Sequence, residues 1–251
     1  MFVTAATESF PDLGPDAVLE CLIDLGFTSV ELALNESAPG GWMKPSEVAA
    51  DLDGAVQRCG ATKRLDVAAL SVQIDGAGEQ YLGQFEAVCK LAKALKVVTL
   101  VVPAAPLGTP FNEEIERLKK LVALAALEGA VVAVRTEIDC MTQDVDTPLV
   151  FCQHVKGLGL TLDPTCYLTG PHNGKPIDKL LPFVRHVHLR DSTKDDFQVR
   201  VGQGDVDYGK LITQLQRVKY QRALSIHMTP IEGLEHTAEI RKLRLLLDSL
   251  L

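Results

Sequence analysis

The chain has 251 residues, 47% of them apolar and 23% charged, a balance that supplies a sizeable core and excludes a disordered polymer. Its formal charge of -8, from 25 Lys and Arg against 33 Asp and Glu, argues against nucleic acid as the main partner, because a duplex binder needs a basic footprint to displace counterions. An anionic small substrate remains compatible, since a local cation overrides the global sign.

The opening residues MFVTAATESF hold no basic region and no long apolar run. They read directly as a strand at about 2–6, so no signal peptide is expected. A helix follows at 15–25, opened by Asp12 or Pro15-Asp16 and closed by Gly26. Strand two, 28–34, leads to a helix at 45–59 that Pro45-Ser46-Glu47 opens. Strand three, 66–74, and a helix at 79–95 come next. Strand four, 97–103, lies in the longest apolar run, Val97–Leu107, which Thr99 and Pro103 break and which is too short to span a bilayer. The helix at 112–128 begins with Asn112, Glu113, Glu114 and Glu116, acids where the helix dipole favours them. The pattern closes with strands at 130–137, 158–163, 184–190 and 222–227 and helices at 145–156, 176–182, 208–219 and 235–251.

Eight strand–helix units imply a parallel sheet with right-handed crossovers. In about 250 residues they fit a (β/α)8 TIM barrel with no sequence to spare. A doubly wound sheet is the rival architecture, but no GxGxxG or phosphate-binding loop follows strand one. No linker divides the chain, so residues 1–251 form one α/β domain. The six cysteines, at 21, 59, 89, 140, 152 and 166, form no CxxC pair, which points to reduced thiols and a cytoplasmic location.

In a closed barrel the C-terminal strand tips ring one rim, where ligand sites form. Glu137, Asp163, His188 and His227 end four consecutive strands. Taken singly, a strand-end Asp caps the next helix and a lone His is a satisfied polar group. Together, on neighbouring strands, they are ligand types for one divalent cation. Arg190 and Arg200 are anion or hydroxyl clamps, or else solvated loop residues. Glu31 closes strand two, where it binds substrate hydroxyls or forms a salt bridge. Arg135 shares the inward parity of Glu137 and needs a carboxylate partner or a bulge. His186 shares the parity of His188 but sits deeper, as a core hydrogen-bonding group.

Several segments carry a family resemblance: Ser9-Phe10, LIDLGFTSVEL at 22–32 with Glu31, VHLRD at 187–191 and the glycine turn VGQGDVDY at 201–208. In these the chain resembles the xylose isomerase-like TIM barrels, the sugar phosphate isomerase/epimerase group. The resemblance implies that Glu, Asp, His and a second Glu hold one divalent ion. Glu137, Asp163 and His188 match the first three. His227 stands where the second Glu is usual, and Cys166 where a His is frequent. A metal-dependent isomerase or epimerase of a small keto-sugar or sugar-phosphate-like compound is then expected. It would work through an enediolate, with Glu137 and His227 exchanging protons. Replacing a carboxylate by imidazole leaves two negative charges on the ion instead of three, which favours Mn²⁺, Zn²⁺ or Co²⁺ over Mg²⁺. A lyase or hydrolase on the same site, and a barrel without catalysis, are the alternatives. The expected partner is a small carbohydrate, with neither nucleic acid nor membrane; a homo-oligomer is compatible with the reading.

Overall fold

A computed structural model describes residues 1–37 and 41–251. Eight parallel strands close on themselves in sequence order: β1 Phe2–Ala6, β2 Ser29–Asn35, β3 Asp66–Gln73, β4 Thr99–Val102, β5 Val131–Arg135, β6 Gly159–Leu162, β7 Val184–Leu189 and β8 Ala223–Ile226. β1 pairs with β8 from Phe2↔Ala223 to Ala5↔Ile226, which completes the barrel and brings the two ends of the chain together. β2, β4 and β6 are buried at every position, as a sheet covered on its outer face and filled on its inner face requires.

The outer layer is built from α1 Pro15–Asp24, α2 Pro45–Ala50, α3 Leu52–Gly60, α4 Gly78–Ala94, α5 Phe111–Leu127, α6 Asp146–His154, α7 Thr165–Leu168, α8 Tyr208–Arg217 and α9 His236–Asp248. Fully buried Leu19, Leu22, Phe85, Leu91, Leu118 and Phe151 pack this layer onto the sheet. Pro15 opens α1 and Gly26, at φ +81°, ends the turn after it.

Two helices differ from the sequence expectation. The helix expected at 45–59 is broken at Asp51, whose backbone is non-helical and whose Oδ1 accepts from Gly54 N at 3.0 Å. Capping is more favourable for Asp than a helix interior. The helix expected at 176–182 is absent as such. Its place is taken by α7 and a 3₁₀ turn at Leu181–Phe183. Gly174 at positive φ, Pro176 and Pro182 disfavour continuous α structure there. All six cysteines are unpaired thiols. Among the described residues, no helix is long and apolar enough to cross a membrane.

Candidate functional site

Inward-facing positions recur every second residue, so His186, His188 and Arg190 line up along the inside of β7 and past its end. Deep in the barrel Glu31 is fully buried, because β2 runs on to Asn35 and Glu31 sits mid-strand. Its carboxylate accepts from His186 Nε2 at 2.8 Å, His188 Nε2 at 2.9 Å and Ser225 Oγ at 2.5 Å. A carboxylate only accepts, so both imidazoles carry their proton on Nε2 here. Burial pushes the pKa of His188 down from the usual 6.5 to about 4, although Glu31 pulls the other way. Burial would raise Glu31, but the two histidines hold its carboxyl well below the usual carboxylate range.

These shifts give an expected acid limb of stability. Below pH 6.5 the unfolded chain protonates His188 and the fold does not, so stability falls as pH drops from 6.5 towards 4. Glu31 acts in the same sense at lower pH, because its contribution is lost as pH falls through its depressed folded pKa. Chemical denaturation at pH 5 is expected to show about 2 kcal/mol less stability from His188 than at pH 7. The limb above pH 4.5 should flatten in His188→Gln. An unchanged limb in that variant contradicts the assignment.

Above this buried layer, Glu137, Asp163, His188 and His227 line one cavity of about 270 Å³, together with Arg135, Thr161, Cys166, Arg190 and Phe197. The strand tips therefore converge. The charges on them are already paired within the chain. Arg190 Nη2 lies 2.9 Å from Asp163 Oδ2 and 2.9 Å from His227 Nδ1. Its guanidinium also lies over the Phe197 ring, 4.6 Å from the centroid. Arg135 Nη2 is 3.2 Å from Glu137 Oε1, so of the two alternatives left open for it, a carboxylate partner or a bulge, the structure shows the partner. Glu137 Oε2 accepts from Ala104 N at 3.0 Å. Asp163 also serves locally, as its Oδ1 accepts from Thr165 N at 3.0 Å.

His227 is held from both sides. Arg190 only donates, so Nδ1 of His227 accepts, and Nε2 donates to Glu8 Oε2 at 3.0 Å. Its ring stacks on His188 at 4.4 Å between centroids and 7° between planes. Although burial raises Glu8, the hydrogen bond from His227 and nearby positive charge bring it below the usual carboxylate value.

Two residues expected at the rim lie elsewhere. Glu31 is under His188 in the barrel interior, away from the mouth. Arg200 is half-exposed and its Nε lies 3.5 Å from Glu239 Oε1, outside the cavity lining. Cys166 donates to Thr136 O at 2.9 Å, and burial pushes its thiol pKa up, which makes it a buried group and not a nucleophile. Asp191 is structural: its Oδ2 accepts from Gly202 N at 2.7 Å and Gly204 N at 3.1 Å, folding the glycine turn. A Cβ on Gly204 would meet Asp191 Oδ1 at 2.1 Å, so only glycine fits. Glu8 and Phe197 were not identified as site residues from sequence. Glu8 follows the end of β1, the same strand-tip signal carried by the other site residues; Phe197 lies in a long loop and carries no such signal.

Among the described residues, one group of three His, Cys, Asp or Glu side chains has all its donor atoms within 4.8 Å: Glu31, His186 and His188. Its spacing could suit an ion, but the hydrogen bonds to Glu31 already satisfy the carboxylate.

The barrel and its lining define an α/β scaffold with a polar cavity at the strand tips. Residues 19–246 match the xylose isomerase-like TIM barrel family, and the chain belongs to that family. No curated protein sequence matches it. Among solved structures, the probable 3-DHS dehydratase AsbF from Bacillus anthracis shares 16% identity at TM-score 0.75, with 99% of each chain covered. 3-Keto-D-glucoside 4-epimerase, YcjR, from E. coli shares 15% at TM-score 0.74, again with 99% of each covered. A xylose isomerase-like TIM barrel protein from Mycobacterium smegmatis in complex with magnesium shares 16% at TM-score 0.75, over 99% of this chain and 97% of that one. At these identities the likeness is one of fold.

Proposed function

We propose that the cavity at the strand tips is the active site of an isomerase or epimerase acting on a small, carbohydrate-like hydroxy-carbonyl compound. The observation that carries this reading is His227, backed by Glu8, sharing one cavity with Glu137 and two arginines. An imidazole backed by a carboxylate is a positioned proton acceptor. Glu8 accepts from Nε2, so Nδ1 is the nitrogen without a proton, and it acts as the base once a substrate oxyanion draws the Arg190 guanidinium away from it. Glu137 comes from β5, three strands away, and supplies the second proton-transfer group.

In the proposed reaction one base removes the proton beside the carbonyl. The C–H electron pair forms the C=C bond, and the carbonyl π pair moves onto oxygen as an enediolate. If the proton returns to the former carbonyl carbon, while the hydroxyl proton of the neighbouring carbon passes to the new oxyanion and that carbon becomes the carbonyl, the compound is isomerised. If it returns to the original carbon from the opposite face and the carbonyl re-forms, the compound is epimerised. No electron acceptor is required. Arginine donors at the same cavity stabilise the developing oxyanion. A dehydratase is the second reading, because the same proton-transfer groups at the cavity can start an elimination. It begins with the same proton removal and then expels a hydroxide.

The test is proton exchange from D₂O into a panel of small ketoses and hydroxy-ketones, free and phosphorylated, followed by mass spectrometry. Deuterium at the carbon beside the carbonyl, with an isomeric product, supports the reading. Exchange accompanied by loss of water supports the dehydratase. A panel without exchange, under conditions where the protein is folded, counts against both.

A further inference from the structure

The family resemblance implies a divalent ion on Glu137, Asp163, His188 and a fourth ligand. The residues of this chain do not fit that group as arranged. Asp163 Oδ2 and His227 Nδ1 both contact Arg190 Nη2 at 2.9 Å, so a guanidinium bridges two of the four expected ligands. Arg135 neutralises Glu137. The cavity lining thus carries two carboxylates and two guanidinium groups, and is formally neutral before any ion enters. A dication would add two positive charges beside Arg190, and like charges in contact cost several kcal/mol. Arg190 is also fixed where it is. Its side chain is 92% buried (8% exposed), its guanidinium lies on Phe197, and its backbone oxygen accepts from Tyr208 OH at 3.0 Å.

We propose that Arg190 takes the place of the family's divalent cation, so that this barrel binds the oxyanion of its substrate with a guanidinium and not with a metal. The proposal deepens the isomerase reading above and rests on it for the identity of the substrate. A second observation points to an oxygen ligand. Arg190 Nε and Arg135 Nε are buried and have no hydrogen-bond partner among the described residues. A buried donor without an acceptor is costly, and both belong to side chains lining the cavity. An oxygen-rich anion, such as an enediolate or a hydroxy-acid carboxylate, supplies the acceptors that these donors lack. Arginine suits the role because its fork holds an oxyanion at fixed geometry and never loses its charge.

The test reads metal uptake and needs no substrate, so it fails separately from the functional reading. Chelator-treated protein is titrated with Mn²⁺ and with Zn²⁺ by calorimetry, and its content is checked by elemental analysis after dialysis. The wild-type protein is expected to take up neither ion stoichiometrically. Arg190→Met frees Asp163 and His227 and is expected to tighten Mn²⁺ and Zn²⁺ binding by about 100-fold. Arg190→Met combined with His227→Glu completes the family's ligand set and should bind more tightly still. Two outcomes overturn the proposal. One is a wild-type protein that holds one equivalent of either ion and loses it on Asp163→Ala. The other is a folded Arg190→Met variant that binds no better than wild type. Should Arg190→Met fail to fold, the wild-type and Asp163→Ala titrations decide alone.

Discussion

Glu31→Ala is expected to lower the thermal midpoint by on the order of 10 °C, the largest stability loss of any single side-chain truncation at this site. Glu31 is fully buried and accepts hydrogen bonds from His186, His188 and Ser225. Truncation strands three donors in a space that water does not reach. Removing one member of such a buried charged network costs about 3–5 kcal/mol. A domain of this size loses about 2–4 °C per kcal/mol. Glu31→Gln keeps an acceptor oxygen but loses the charge, and should fall between wild type and alanine. Differential scanning calorimetry at pH 7 measures both. A shift below about 2 °C for Glu31→Ala would mean that the network contributes little net stability.

His227→Gln is expected to reduce D₂O exchange by about 10²–10⁴-fold, the range that a positioned proton-transfer group contributes. The thermal midpoint should move little, because His227 is partly solvent-exposed, Arg190 keeps its pairing with Asp163 and Glu8 keeps the positive charge of Arg135 nearby. Glu8→Gln should give a smaller loss, because Glu8 positions the imidazole through Nε2 and does not touch substrate in this reading. The diagnostic is a fall in kcat with KM nearly unchanged. Wild-type exchange in folded His227→Gln would remove His227 from the reaction and leave Glu137 as the sole proton-transfer candidate.

The barrel was legible in the sequence because its signals are local. Short β-branched runs alternate with amphipathic segments, and each such unit can be recognised without knowing its neighbours. All eight strands fall close to their expected places. The sixth helix did not, because 3.6-residue periodicity over 176–182 competes with Gly174, Pro176 and Pro182, and the backbone restrictions win.

The site was legible only to the extent that barrel closure alone dictates it. Strand tips must meet at one rim, so the meeting of Glu137, Asp163, His188 and His227 on one cavity follows from their positions at strand ends. Which atom faces which does not follow. His227 finds Glu8 across 219 residues because β8 closes against β1, and no spacing rule carries that pairing. Glu31 had the same strand-end appearance as the rim residues, but β2 runs on to Asn35, so Glu31 sits mid-strand and its carboxylate lies in the interior, under His188. Arg190 and Arg200 looked alike as loop arginines. Packing alone separates them: the parity of β7 sends Arg190 between Asp163 and His227, while the glycine turn carries Arg200 outward to Glu239. The sequence by itself thus determined the barrel, its single domain and the residue types gathered at its mouth, because periodicity and strand order are properties of the chain. Only the tertiary structure decided that arginines neutralise those carboxylates, because charge pairing depends on side-chain directions that exist only once the barrel has closed.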